Sequence, residues 1–386
     1  MPAPRFYLDN QFSASNRIAR QINRNLIFNQ IRTMQPISRA DLARSSGLQR
    51  STVSLIVEEL LHERWIVEGS VGQIPRGRKP TFLNLNGQRG VLALDIHPAQ
   101  TTLAVTDLGG TIVTQDQIML PENPQKVVTA IIAAIRKMIA SHSGRTFEGV
   151  GICLPGRFDP HLEKFIFAPN VDWPLGQLKA RVEKATGLPV VVDNVANACA
   201  LSEVWYGYSD GLHDLVVVNV SEGIGTGIYA NGQLLRGEGG VAGEFGHVQM
   251  EPDGRRCGCG SRGCWETVAS NRAGMRYYSE IANKSISSFD ALLQLVEADD
   301  PAAKEAFSRM CQALGRGMHM IALALAPGEI VVVGDIASRW QLAGPLIEAE
   351  MVRYPLVRIP RLRPAYEGNK ARLRSAAALI MSGKLL

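Results

Sequence analysis

The sequence predicts an α/β protein in which a small helical head precedes a larger body of two α/β lobes. Residues 14–68 have the apolar spacing of helices, whereas strand-like apolar runs begin at Val91. From there, three strand-like runs followed by alternating helices and strands occur roughly twice, which is typical of two lobes around a cleft. A chain of 386 residues is long enough for two or three domains.

The composition indicates a globular protein without a membrane segment. Hydrophobic residues make up 46% and charged residues 20% of the chain, which is ordinary for a soluble protein. The best candidate for an apolar span, residues 320–333, is interrupted by Pro327, Gly328 and Glu329. The Arg- and Asn-rich N-terminus has no apolar core of a secretory signal. We therefore expect a cytoplasmic protein with no membrane partner.

Positive charge is concentrated near the N-terminus. Residues 1–88 contain twelve Arg or Lys and six Asp or Glu, although the net charge of the whole chain is only +5. The rest of the chain is therefore close to neutral. This asymmetry indicates a polyanionic partner for the N-terminal segment or, alternatively, a solvated basic surface.

The basic segment contains the pattern of a helix-turn-helix. Ser38 can cap a helix that runs through Arg44, and Gly47 permits the positive φ of the turn that follows. A second helix over residues 49–62 would bury apolar side chains at helical spacing, namely Val53, Ile56, Val57, Leu60 and Leu61. The spaced positions of the motif are occupied by Ala43, Gly47, Val53 and Ile56.

The exposed side of this second helix predicts contact with DNA. Short polar side chains and one arginine near its N-terminus suit the major groove; they are Gln49, Arg50, Ser51, Thr52 and Ser54. Strands at residues 65–68 and 81–85 would form a wing, and its basic tip, suited to a narrow minor groove, consists of Arg76, Gly77, Arg78 and Lys79. We expect operator DNA as the partner. The alternative is a helical hairpin used for dimerisation, with a solvated basic loop.

The body follows as strands and helices in an order that fits two lobes. Strands are predicted at residues 91–96, 101–108, 111–120, 149–154, 188–192, 214–220 and 329–333, and helices at 125–142, 175–186 and 194–206, with helices dominating 266–326. The predicted domains are a winged helix-turn-helix over residues 1–86, a first lobe over 87–194 completed by a C-terminal helix at 371–386, and a second lobe over 195–370.

Three of the six cysteines lie close together in a glycine-rich segment. One imidazole and three thiolates are a usual ligand set for a closed, tetrahedral structural zinc site, and they come from His247, Cys257, Cys259 and Cys264. Four protein ligands leave no open position for catalysis. Free cysteines beside an unrelated histidine are the alternative. The other three cysteines, Cys153, Cys199 and Cys311, lie in apolar surroundings and are expected in the core.

The segment GEFGHVQMEPDGRRCGCGSRGCWE, with GVGICLPGRFDP before it, closely resembles the ROK family of repressors, open reading frames and sugar kinases. The resemblance covers essentially the whole chain. It implies an actin-like, sugar-kinase-like (ribonuclease H-like) body and assembly as a homodimer or tetramer. It also implies a sugar site at Asn194, Glu244, His247 and Glu266, where carboxylates and the free imidazole N–H would bind hydroxyls.

The residues that a ROK kinase needs for phosphoryl transfer are altered. The first phosphate turn of such kinases is Asp-x-Gly-Gly-Thr, and the matching residues here are Asp95-Ile96-His97-Pro98-Ala99. The motif that carries the catalytic aspartate, Asn-Asp-Ala-Asn, has Val195 in place of the aspartate. The second phosphate turn, residues 223–227, is kept, but Glu222 beside it would repel a phosphate. We expect no catalytic residue and no phosphotransfer.

The resemblance is strongest to repressors of sugar metabolism and transport genes, such as those that respond to glucose, N-acetylglucosamine or xylose. We therefore expect a DNA-binding regulator that a sugar or sugar derivative controls. Two alternatives remain: a sugar kinase with an accessory DNA-binding head, and a regulator controlled by a sugar-transport protein. The loss of the aspartate at position 195 leaves open a different sugar, a sugar phosphate or no sugar at all.

Overall fold

The structure is a computed structural model that describes residues 16–71, 80–97, 101–159, 164–167, 177–207, 214–353, 358–368 and 370–385. The chain divides into two compact units, of which the first ends at Arg89 and the second comprises Gly90–Lys384. Within the described ranges, no helix is both long and apolar enough to cross a membrane.

The first unit is a helical head with a small sheet. Its elements are α1 (Asn16–Met34), β1 (Ile37–Ser38), α2 (Arg39–Ser46), α3 (Arg50–His62), β2 (Ile66–Val71) and β3 (Thr81–Leu85). The three strands are ordered β1-β3-β2, and both pairings are antiparallel. The order of helices and strands is that of the predicted winged helix-turn-helix.

The bounds of α2 and α3 follow from local capping chemistry. The Ser38 hydroxyl accepts a hydrogen bond from the Asp41 N–H at 3.2 Å, and the Asp41 carboxylate accepts one from the Ser38 N–H at 3.3 Å, so both form a capping box. Gly47 ends α2 with a φ of 70°. Gln49 is extended and precedes α3, which therefore begins at Arg50 and not at residue 49 as predicted.

The core of the head forms where α1 and α3 meet the sheet. Val53, Ile56, Val57 and Leu60 are buried as predicted, whereas Leu61 is only half-buried. The aromatic rings of Phe28 and Trp65 pack edge to face with their centroids 5.6 Å apart.

The first lobe of the body contains a five-stranded sheet in the order β10-β7-β4-β5-β6. Its elements are β4 (Arg89–Asp95), β5 (Thr101–Asp107), β6 (Ile112–Ile118), α4 (Pro124–Ser141), β7 (Thr146–Leu154), β8 (Arg157–Asp159), β9 (Lys164–Phe167), α5 (Leu178–Thr186), β10 (Val190–Asn194) and α6 (Val195–Tyr206). Strands β4, β5 and β6 are antiparallel neighbours, and β10 lies parallel to β7.

The second lobe contains a sheet in the order β13-β12-β11-β14-β15. Its elements are β11 (Leu215–Val220), β12 (Ile224–Ala230), β13 (Gln233–Leu235), α7 (Trp265–Ala269), α8 (Asn271–Ala282), α9 (Phe289–Glu297), α10 (Pro301–Leu325), β14 (Glu329–Gly334), α11 (Trp340–Met351) and β15 (Arg361–Pro364), and the last helix of the chain is α12 (Ala371–Leu385). Short 3-10 turns span Glu238–Gly240, Glu244–His247 and Asp335–Arg339.

The two sheets repeat one topology. In each, three strands form an antiparallel meander, and two later strands extend the sheet from the first strand of that meander. The prediction of two similar α/β lobes is therefore confirmed. Helix α6 packs on strands of both sheets, and its Glu203 carboxylate accepts a hydrogen bond from Arg363 at 2.8 Å.

Helix α12 packs against the first sheet although it is the last element of the chain. A Cβ on Gly151 of β7 would lie 1.7 Å from the Ala376 carbonyl oxygen, so only glycine permits this approach. The Cys153 sulfur lies 3.3 Å from the Ser375 hydroxyl. Cys153, Cys199 and Cys311 are all buried, as predicted.

The core of the second lobe holds the start of α7 in place. The Trp265 side chain is fully buried, and its indole N–H donates to the Ala313 carbonyl of α10 at 2.8 Å. A Cβ on Gly317 would lie 2.0 Å from the Trp265 ring. The ring therefore occupies the space that the side chain of any other residue type at position 317 would need. Since Trp265 directly follows Cys264, this contact positions the cysteine-rich segment.

Candidate functional site

A cavity of about 550 Å³ lies between the two lobes of the body. The first lobe contributes the Pro155–Phe158 turn and the junction of β10 with α6, whereas the second contributes the 3-10 turn at Glu244–His247 and the start of α7. A cavity of this size suits a small ligand such as a sugar.

All four residues that the sequence predicts for a sugar site line this cavity: Asn194, Glu244, His247 and Glu266. The His247 Nε2 atom lies 3.6 Å from a Glu244 oxygen, and its Nδ1 atom lies 3.7 Å from a Glu266 oxygen. The two carboxylates therefore flank one imidazole. Such a group of acceptors and donors can bind several neighbouring hydroxyls.

The Asn194 side chain is already engaged with the protein backbone. Its oxygen accepts a hydrogen bond from the Ala196 N–H at 2.7 Å, which caps α6. Its amide donates to the Gly156 carbonyl. Asn194 thus connects the end of β10 to the turn after β7. If Asn194 also contacts a ligand, it does so in addition to this structural role.

Val195 also lines the cavity, where the family resemblance places an aspartate. The preceding residue, Asp193, is 1% exposed, and its carboxylate lies 2.5 Å from the Arg236 guanidinium. Burial raises the pKa of Asp193, and Arg236 opposes that rise. The cavity wall at position 195 is therefore apolar, and the carboxylate next to it in sequence is paired with Arg236.

The predicted metal ligands His247, Cys257, Cys259 and Cys264 form one cluster, with ligand atoms within 4.8 Å of one another. The Cys257 N–H donates to the Ser261 carbonyl at 2.8 Å, which closes the loop that carries the first two cysteines. Gly263 has a φ of 66°, and a Cβ there would lie 1.5 Å from the Glu251 carbonyl oxygen. Only glycine fits at this point of the loop.

The donor set of the cluster fits a metal ion. Three thiols and one imidazole match the ligand types and the tetrahedral number of a structural zinc site. The His247 Nδ1 atom lies 3.5 Å from the Cys257 sulfur, whereas Nε2 is near Glu244, so Nδ1 is the nitrogen that faces the thiols. Burial and the adjacent Glu266 raise the pKa of the Cys257 thiol, which donates to the Glu266 carboxylate at 2.9 Å.

The other end of the cavity, where the resemblance places the phosphate turns, carries paired charges. The Arg372 guanidinium of α12 donates to both Asp95 carboxylate oxygens at 2.9 Å each. Arg272 donates to Glu222 at 2.7 Å. Burial, with a contribution from Arg372, lowers the pKa of His97 at this end. Pro98 and Ala99, which the sequence analysis places in the first phosphate turn, lie outside the described residues.

The predicted DNA face of the head is accessible. Gln49, Arg50 and Ser51 are exposed, and Thr52 and Ser54 are half-buried. The wing-tip residues Arg76, Gly77, Arg78 and Lys79 lie outside the described residues.

Ion pairs within the head neutralise part of its positive charge. Arg24 lies 2.6 Å from Glu63, and Arg39 lies 3.3 Å from each of Glu58 and Glu68. Within the described part of the head, no carboxylate pairs with Arg50.

The family model described as "ROK family" matches residues 91–382 of the chain, which is nearly all of the body. The chain belongs to the ROK family.

Relatives of two kinds match this ROK chain over different lengths. The xylose repressor of Bacillus spizizenii is 31% identical over 96% of each chain. A crystal structure of a ROK transcriptional regulator, a homologue of the Escherichia coli MLC protein, is 26% identical with a TM-score of 0.78 and covers 94% of this chain and 96% of its own. The ROK glucokinase of Streptomyces griseus, solved with glucose and AMPPNP, is 32% identical with a TM-score of 0.69 and covers 76% of this chain and all of its own.

Sequence reasoning missed the arginines of the ROK cleft. Arg372 is 277 positions from Asp95, so no local spacing indicates their pair. Arg272 and Glu222 are 50 positions apart. Arg157 lies inside the quoted motif GVGICLPGRFDP, but the sequence alone does not indicate that its side chain lines the cavity, as it does in the structure.

Proposed function

We propose that this ROK protein is a DNA-binding transcription regulator, a repressor of sugar uptake or metabolism genes, controlled by a sugar or sugar derivative bound between the lobes of its body. The observation that carries the proposal is the combination, in one chain, of the exposed N-terminal end of α3 in the head with a cavity lined by Glu244, His247 and Glu266. The relatives that span head and body are a xylose repressor and a transcriptional regulator.

The head would read operator DNA through α3. Arg50 and the neighbouring Gln49, Ser51, Thr52 and Ser54 would face base edges and phosphates of the major groove. The wing tip, Arg76, Gly77, Arg78 and Lys79, would enter the minor groove. A homodimer or tetramer would place two heads over the halves of a pseudo-palindrome, and a coupling of about 1–3 kcal/mol between ligand and DNA would suffice for regulation.

The cysteine cluster would hold structural zinc through His247, Cys257, Cys259 and Cys264. When bound, the metal would cross-link the loop and fix the orientation of the His247 ring. The chain's own residues would then contact the ligand: His247 would donate through Nε2, and Glu244 and Glu266 would accept hydrogen bonds from hydroxyls.

We infer that the body does not transfer phosphate. Val195 can neither remove a proton from a sugar hydroxyl nor accept a hydrogen bond from it. Two arginines at the phosphate end, Arg272 and Arg372, are bonded to carboxylates of the protein itself. The second candidate function, a sugar kinase with an accessory DNA-binding head, is favoured by the similarity to the glucokinase.

The DNA-binding half of the proposal is tested by selecting duplexes from a random pool with the purified protein and measuring binding by fluorescence anisotropy at fixed salt. Arg50→Ala should reduce the discrimination between selected and unrelated DNA by about 1–3 kcal/mol, the range of one bidentate base contact. Arg20→Ala, on α1 where Arg20 pairs with Glu59, is the matched control and should keep that discrimination. Equal effects of the two variants would show that the DNA face is wrongly assigned.

The absence of phosphotransfer is tested by measuring ADP release with Mg-ATP and a panel of hexoses and pentoses. We expect no sugar-dependent ADP from the parent protein or from Val195→Asp, because the substitution leaves the paired arginines in place. Val195→Asp should nevertheless change sugar affinities, since residue 195 lines the cavity. Sugar-dependent ADP release by the parent protein would favour the kinase instead.

A further inference from the structure

Arg157 is an arginine of the first lobe that lines the cavity. It opens β8, directly after the Pro155-Gly156 turn, and is half-buried. Its Nε atom is buried and has no hydrogen-bond partner. Within the described ranges, no carboxylate forms an ion pair with its guanidinium. A buried N–H without a hydrogen-bond acceptor is unfavourable, so a ligand that supplies an acceptor here would stabilise the folded protein.

The other arginines in and beside the cavity differ from Arg157 in this respect. Arg372 donates to Asp95 at 2.9 Å, Arg272 donates to Glu222 at 2.7 Å, and Arg236 lies 2.5 Å from Asp193. Each of these guanidinium groups has a carboxylate of the protein as its partner. Arg157 differs from them as an arginine that lines the cavity without a carboxylate partner in the described part of the chain.

The position of Arg157 places it beside the predicted sugar residues. The Asn194 amide donates to the Gly156 carbonyl, which fixes the turn that carries Arg157 against the end of β10. Strand β8 also packs against β10 and against the 3-10 turn Glu238–Gly240 of the second lobe. Arg157 thus lies where the two lobes approach each other, and it lines the same cavity as Asn194 and Val195.

Val195 strengthens the preference of the cavity for an anionic ligand. An aspartate at position 195, which the family resemblance leads one to expect, would add a negative charge to this wall and would attract the guanidinium. Valine adds no such charge, so the cavity is lined by an apolar residue at position 195 and by an arginine that has no carboxylate partner among the described residues. Both features favour a ligand with a negative charge at this point and disfavour one that offers only hydroxyls.

We propose that Arg157 binds an anionic group, a carboxylate or a phosphate, on the effector, so that this protein responds to an acidic sugar derivative and not to the neutral sugar. The proposal rests on the proposed function, because it assumes that a sugar occupies the cavity. Glu244, His247 and Glu266 would bind the hydroxyls, and the planar guanidinium of Arg157 would donate two parallel hydrogen bonds to two oxygens of the anion.

The test uses isothermal titration of the full-length, zinc-loaded protein. Glucose, N-acetylglucosamine and xylose are each compared with a phosphate ester and with a carboxylate derivative of the same sugar, and these two arms identify the source of the anion. We expect one anionic derivative to bind about ten- to a hundredfold more tightly than its neutral parent, the range for hydrogen bonds to charged groups.

Two variants of Arg157 and one control complete the test. Arg157→Gln should reduce the preference for the anionic derivative to within about twofold. Arg157→Lys keeps the positive charge but not the planar guanidinium, and it should retain part of the preference for the anionic derivative. Arg309→Gln, on the exposed side of α10 where Arg309 pairs with Glu305, should retain all of it.

Three results would overturn the inference. In the first, a neutral sugar binds at least as tightly as its anionic derivatives, which leaves the proposed function standing. In the second, Arg157→Gln keeps the full preference, so another group reads the anion. In the third, no sugar in the panel binds to the zinc-loaded protein, and then the sugar-sensing half of the proposed function fails as well.

Discussion

The two ends of the cleft use charged side chains in opposite ways. At the end near the cysteine cluster, Glu244 and Glu266 flank His247 and face the cavity without an arginine or lysine partner among the described residues. At the other end, Asp95 and Glu222 are each bonded to an arginine at 2.7–2.9 Å. Carboxylates of the first kind are available to hydroxyls, whereas those of the second kind are occupied by the protein.

Under the proposed function, this difference would let a kinase-like body bind a sugar without transferring phosphate to it. A sugar needs acceptors and donors that are held in place but not yet satisfied. A transferring phosphate needs uncommitted N–H groups and cations, and ion pairs within the protein remove the cations from that role. The same cleft can therefore favour sugar recognition and oppose phosphoryl transfer.

The largest effect should follow from removing a ligand of the proposed zinc site, at the end of the cavity near the cysteine cluster. Cys264→Ala deletes a fully buried ligand of the cluster and should abolish stoichiometric zinc, lower the melting temperature by well over 10 °C and eliminate sugar binding. Metal content by mass spectrometry, thermal unfolding and titration with sugar measure these three changes. A strong chelator added to the parent protein should reproduce them and should have no further effect on the variant.

Cys311→Ala is the matched control for the cysteine substitution. Cys311 is fully buried in α10 and lies outside the cluster, so its removal should cost about 1 kcal/mol of stability and leave the zinc content unchanged. If Cys264→Ala also retained one zinc per chain, the cluster would not be the metal site, and the comparison between the two ends would lose its first half.

A smaller effect should follow at the phosphate end. Arg372→Ala leaves the nearly buried Asp95 carboxylate without its partner and should lower the free energy of unfolding by about 3–5 kcal/mol. Arg272→Ala breaks a pair whose side chains are 52% and 40% exposed, and should cost at most about 1 kcal/mol. Denaturant unfolding followed by tryptophan fluorescence measures both values.

The stability of Arg372→Ala also tests whether Arg372 serves as the ion-pair partner of Asp95 or is held ready for a phosphate. If Arg372 were held ready for a phosphate, its removal would relieve unfavourable charge and would stabilise the protein in the absence of ligand. A gain of stability in Arg372→Ala would therefore contradict the view that Asp95 and Arg372 satisfy each other.

Sequence reasoning was most successful where the signal is local. The Ser38 cap, the Gly47 turn and the buried face of α3 depend on spacings of a few residues, and the structure reproduces them. The His247 and cysteine cluster spans 18 positions and contains its own glycines, so its assembly could also be anticipated. Element ends were less accurate, as at Gln49, because the last turn of a helix depends on its neighbours.

The charge pairs of the cleft could not be predicted in the same way. Asp95 lies on the first strand of the body and Arg372 on the last helix, and only the return of α12 to the first sheet brings them together. Arg157 has no local pattern either, since its significance comes from the absence of a nearby carboxylate within the described fold. Such features depend on tertiary proximity, which the periodicity of a single sequence does not encode.

The contact between Trp265 and Gly317 has a consequence for the history of this chain. The indole ring fills the space above a residue that has no side chain, 52 positions away, and any Cβ at 317 would lie 2.0–2.4 Å from ring atoms. Neither position can change alone without a clash or a void. We therefore expect the residues at positions 265 and 317 to change together in related sequences. Because Trp265 directly follows Cys264, its packing against α10 should also limit which changes the cysteine-rich loop tolerates.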